Sequence, residues 1–83
     1  MNNYKELIVW KKSMDLVQLV YTVSKELPES EKYTFQTQIT RSALSIPSNI
    51  AEGAGRNSKK EFSRFLAIAN GSAFELETQL ILA

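Results

Sequence analysis

The sequence contains no cysteine and no histidine. The first absence removes disulfides, thiolate nucleophiles and cysteine-type zinc sites. The second removes the side chain most used as a general base, which is also the commonest transition-metal ligand. Serines are plentiful, but without a histidine partner they build no hydrolytic triad. Glycine and proline are scarce, with three and two copies, so turn signals are few and periodic stretches are long. No apolar run approaches the roughly 18 residues of a membrane span. Met1 to Glu6 lack the basic start and apolar core of a secretory signal. Excess charge is also missing: ten Lys and Arg against nine Asp and Glu leave +1. The expectation is a cytoplasmic, non-enzymatic binding or assembly module with no metal and no cofactor.

What is present is helical periodicity. The 83 residues, 43% apolar, suffice for one small domain over 1–83. Pro28 and the stretch Gly53 to Ser58 divide them into three segments, at about 5–27, 29–52 and 58–83. In the first, Val9, Leu16, Val20, Val23 and Leu27 share a stripe with Ser13, and Trp10, Met14, Val17 and Tyr21 form its neighbour. Lys11, Asp15, Gln18, Thr22 and Lys25 mark the wet face. Either Asn3 with Glu6 caps this helix, or its start lies closer to Val9. In the second, Phe35, Ile39, Ala43, Ile46 and Ile50 keep one phase through Pro47, so a kink is expected there rather than a break.

The third segment opens on Ser58-Lys59-Lys60-Glu61, a capping-box pattern. Phe62, Leu66, Ala69, Ala73, Leu76, Leu80 and Ala83 then alternate spacings of four and three, a heptad-like seam. Phe65, Ile68, Phe74 and Ile81 lie off that seam and are expected at a bundle or oligomer interface. Gly71 inside this helix costs about 1 kcal/mol against alanine, and close packing of another helix is the expected reason. The pattern runs to Ala83 with no stop signal, so either a following helix or other chains should cover its free side.

Two motifs invite a functional reading. Arg56, Lys59, Lys60 and Arg64, opposed by Glu61, cluster where a helix begins, which suits a phosphate. A glycine C-cap followed by a capped turn with solvated charges explains the same residues. Gln38, Ser42, Ser45, Asn49 and Glu52 form a stripe of polar, mostly small residues. It is either a groove for a ligand or a surface that lets helices approach closely while its polar groups bond locally. Glu75 and Glu77 fall on different helix faces, so no metal cluster is assembled.

Several of these words are similar to one family. They are Leu7-Ile8-Val9-Trp10, Leu27-Pro28 with Glu31 and Tyr33, Gln38-Ile39-Thr40-Arg41-Ser42-Ala43, Ser45-Ile46-Pro47-Ser48-Asn49-Ile50-Ala51-Glu52-Gly53, Phe65-Leu66 and Ala69-Asn70-Gly71-Ser72-Ala73. Over essentially its whole length the chain resembles the bacterial four-helix-bundle proteins encoded by intervening sequences of 23S ribosomal RNA genes. The resemblance implies an all-α, antiparallel up-down bundle, with three helices of a four-helix design present here and the fourth missing. It also implies a ring-like homopentamer and no catalytic residues. A related branch, the accessory protein of diversity-generating retroelements, works with RNA through a basic surface. Thr40 and Ser42 stand where such proteins often carry a further basic residue and an alanine.

The resulting expectation is an oligomeric helical protein contacting structured RNA, or an RNA-bound protein. Arg41, Arg56, Lys59, Lys60 and Arg64 would meet phosphates, and oligomer symmetry would multiply a weak patch, with Lys11 and Lys12 adding to it. The alternative is a protein-assembly module without nucleic-acid binding, working through the apolar faces of its third helix.

Overall fold

A computed structural model describes residues 3–82. The fold is all-α. A 3₁₀ turn at Tyr4–Glu6 leads into α1 (Ile8–Ser24). One α-turn at Glu29–Glu31 and a π-helical turn at Lys32–Gln36 lead into α2 (Thr37–Ala54), and α3 spans Lys59–Leu82. Helix α2 is the middle element, and α1 and α3 both lie along it.

Each helix boundary has a local cause. Leu7 is extended at ψ 128°, which separates the 3₁₀ turn from α1, and Asn3 makes no side-chain cap. The first helix therefore starts at Ile8, close to the later of the two expected starts. Tyr4 packs edge-on against Trp10 instead, with centroids 5.4 Å apart. At its other end α1 tightens, as the Glu26 and Leu27 amides donate to the carbonyls of Val23 and Ser24. Pro28 disfavours helical backbone at Leu27, so the chain turns before reaching it. The second helix runs two residues further than expected, to Ala54, and stays α-helical through the buried Pro47. Nothing in the sequence signals its π-helical turn.

One glycine of the connection is the expected cap: Gly55 takes the C-cap position of α2, its amide donating to the carbonyl of Ala51. Gly53 lies inside α2, and the left-handed residue of the connection is Asn57, at φ 55°. A Cβ added at Gly53 would lie 2.6 Å from the Cβ of Phe65, closer than two carbons tolerate, so the glycine is where α2 and α3 touch. Gly71 is the opposite case. An added Cβ would meet nothing within 4 Å, so close helix packing inside this chain does not explain it.

Two kinds of contact join α2 to α3. Ser42 donates to Glu75 Oε1 at 2.9 Å, and the hydroxyls of Ser45 and Ser72 bond at 2.6 Å. Asn49 donates to the carbonyl and hydroxyl of Ser45. As residue numbers rise on α2, their partners' numbers fall on α3, so the pair is antiparallel. Ser42 and Ser45 of the polar stripe thus form an interhelical seam, Asn49 bonds within α2, and Gln38 and Glu52 are exposed. The apolar stripe beside it forms the core: Ile39, Ala43 and Ile50 are each 1% exposed and meet Val17 and Val20 of α1 and Ala69 and Leu76 of α3. The expected heptad seam of α3 is half realised. Ala69 and Leu76 are buried, Phe62, Leu66 and Ala73 are half-buried, Leu80 is exposed, and Ala83 lies outside the described residues.

The two glycines yield opposite predictions in urea denaturation. Gly53→Ala should destabilise the fold by about 1–3 kcal/mol, because the methyl meets Phe65 and forces the helices apart. Gly71→Ala should stabilise it by about 0.5–1 kcal/mol, since the position gains helix propensity without a clash.

Candidate nucleic-acid interface

The cationic residues near the α2–α3 connection arise from two helix ends. Arg56 follows the last turn of α2, while Lys59, Lys60 and Arg64 occupy the first turns of α3. Ser58 caps α3: its Oγ accepts from the Glu61 amide at 3.2 Å, and its carbonyl accepts from the Phe62 amide at 2.9 Å. The Glu61 amide to Ser58 Oγ bond is one half of the expected capping box. The Glu61 carboxylate turns outward to Arg64, whose Nε donates to Oε2 at 2.9 Å and whose Nη2 donates to Oε1 at 3.4 Å. Arg56 Nη2 reaches Glu52 Oε1 at 3.5 Å.

The two arginines share a second partner. Arg64 lies over the Phe65 ring with Cζ 4.6 Å from the centroid, and Arg56 does so at 5.1 Å. Phe65 is 9% exposed, so the ring belongs to the interior and the guanidiniums roof it. Lys59 and Lys60 form no ion pair among the described residues and are exposed. Lys59 also borders a recess of about 220 Å³ with Gly53, Ala54, Asn57, Ser58 and Phe62. The first amides of a long helix add positive potential at this end.

Of the five residues expected at phosphates, four therefore come together. Arg41 does not join them: it is exposed on α2, about 20 Å from Arg56 at the helical rise per residue. It has no ion pair among the described residues. The interface residues also divide. Phe65 is internal, whereas Ile68, Phe74 and Ile81 are exposed, the last two at 62% and 76%. Ile81 joins Leu16, Ala73, Leu76, Glu77 and Leu80 around an open groove of about 410 Å³ between α1 and α3. Sequence periodicity had no means of finding this groove, because Leu16 belongs to a different helix from the rest. Among the described residues, no set of three or more acidic side chains gathers to hold a metal, and no helix is long and apolar enough to cross a membrane.

The sequence profile of the 23S rRNA-intervening sequence protein family matches residues 5–83. The chain belongs to that family. No curated protein gives a significant match.

The hydrogen bond from Arg64 lowers the pKa of Glu61, and Glu61 in turn raises that of Arg64. A carboxylate depressed in the folded state favours folding above its unfolded pKa, and that contribution is lost as pH falls through the folded value. An NMR titration should therefore place the Glu61 midpoint below the ordinary carboxylate range, and Arg64→Gln should move it back up.

Proposed function

We propose that this chain is a non-enzymatic, self-assembling helical protein that contacts structured RNA, or protein bound to RNA, through the cationic end of the α2–α3 hairpin. The observation that carries the reading is the division of labour within the cluster. Among the described residues, Arg56 and Arg64 have carboxylate partners, whereas Lys59 and Lys60 have none. Two uncompensated charges beside the amide end of a helix attract an anionic backbone. Membership in a family named for 23S rRNA intervening sequences makes RNA the natural anion to test. The absence of His and Cys supports a role without catalysis.

Assembly supplies what a chain of net charge +1 lacks. The exposed Phe74 and Ile81 and the groove between α1 and α3 are apolar surface available for subunit contact. The family resemblance makes a homopentamer the assembly expected. Repetition of one two-lysine patch around a ring converts weak contacts into a multivalent site. The same exposed residues also favour a second reading, a protein-assembly module with no affinity for RNA.

Light scattering and RNA titration on one sample separate these readings. The first predicts an oligomer whose RNA affinity falls with salt, and a Lys59→Gln/Lys60→Gln variant should flatten the log–log salt slope by about 1.4 per contacting subunit on single-stranded RNA. An oligomer binding RNA no better than an unrelated protein of equal charge would leave the assembly reading. A monomer would remove self-assembly from both.

A further inference from the structure

The roof over Phe65 has its own chemistry, distinct from that of the free lysines. A guanidinium grips phosphate by its edge, with parallel N–H donors forming a fork. In Arg64 two of the five N–H donors are engaged, those of Nε and Nη2, both on the Glu61 carboxylate. Its Cζ lies over the Phe65 ring, and the side chain is still 56% exposed. Arg56 repeats the arrangement beside it, paired more loosely to Glu52 and 46% exposed. The result is a pair of exposed guanidiniums gathered over one aromatic ring, each paired to a carboxylate.

We infer that Arg64, supported by Phe65 and flanked by Arg56, is a stacking platform for an unpaired nucleobase. This rests on the RNA reading above and narrows it to single-stranded segments, loops or bulges. Bases stack on arginine planes as they do on aromatic rings, and the stacking accepts any base. A base inside a duplex has both faces covered by its neighbours and cannot offer one to the platform. The surroundings fit a nucleotide. Lys60 stands one helical turn before Arg64, on the same side of α3, where side chains four apart are neighbours. A base on Arg64 therefore has its phosphate within reach of an ammonium that forms no ion pair among the described residues.

The test uses a ten-nucleotide RNA containing 2-aminopurine, as a single strand and within a fully paired duplex, at fixed salt. The wild-type protein should quench the probe and bind the single strand more tightly than the duplex. Arg64→Lys keeps the charge and removes the plane; it should abolish quenching and weaken single-strand binding about tenfold, the scale of one stacked base, with duplex binding unchanged. Lys60→Gln should weaken both forms alike. An Arg64→Lys protein that still quenches, or that loses both forms equally, overturns the platform while leaving RNA binding intact. A wild type that binds neither form beyond a charge-matched control overturns the RNA reading itself. Far-UV circular dichroism checks each variant's helicity; were Arg64→Lys to lose it, an unquenched probe on bound wild type would overturn the platform.

Discussion

The contact of Gly53 with Phe65 is the constraint on which the rest of the hairpin depends. At the connection, α2 and α3 approach so closely that a single methyl group does not fit between them. That approach sets where Phe65 sits, and Phe65 in turn sets where Arg56 and Arg64 can lie, because both guanidiniums roof its ring. It also begins the antiparallel register continued by Ser45 with Ser72 and Ser42 with Glu75. A core fault and an electrostatic fault at this end are therefore the same fault.

The hairpin has two unlike edges, and each does a different job. Along one, isoleucines and alanine of α2 remove apolar surface from water against both neighbours, which supplies most of the driving force. Along the other, short hydroxyl side chains bond across the interface. Such bonds add little net stability, but a slipped register would leave Ser42 buried without its partner. The apolar edge holds the helices together, and the polar edge specifies how they align.

Charge is organised on the same principle. Every exposed cation near the connection looks equivalent in the sequence. In the fold, the two arginines are stacked and paired, and the two lysines remain open to a partner. The chemical difference between the side chains explains the division: a planar guanidinium gains from stacking and bidentate pairing, while a compact, strongly hydrated ammonium does not. A nearly neutral chain thus presents a locally cationic end. Exposed apolar side chains at Phe74 and Ile81 lie along the outer length of α3, away from that end.

Periodicity by itself determined that the chain is all-α and divided at Pro28 and near Gly53, and it identified the α2 stripe of Ile39, Ala43, Ile46 and Ile50, all of which are buried. Short-range chemistry suffices for these features, since an amphipathic stripe or a proline acts within its own segment. The motif words likewise carried the family, which matches residues 5–83. Tertiary structure alone decided the rest. Phe65, off the heptad seam, is buried while Phe62, on it, is only half-buried, because Gly53 makes room for Phe65, and Gly71 faces open space among the described residues. Arg41 was separated from the other cations by the length of α2, and the groove between α1 and α3 came from residues that share no sequence pattern. A helix's own sequence says which residues prefer burial; which neighbour buries them, and which charges meet, depends on the other helices.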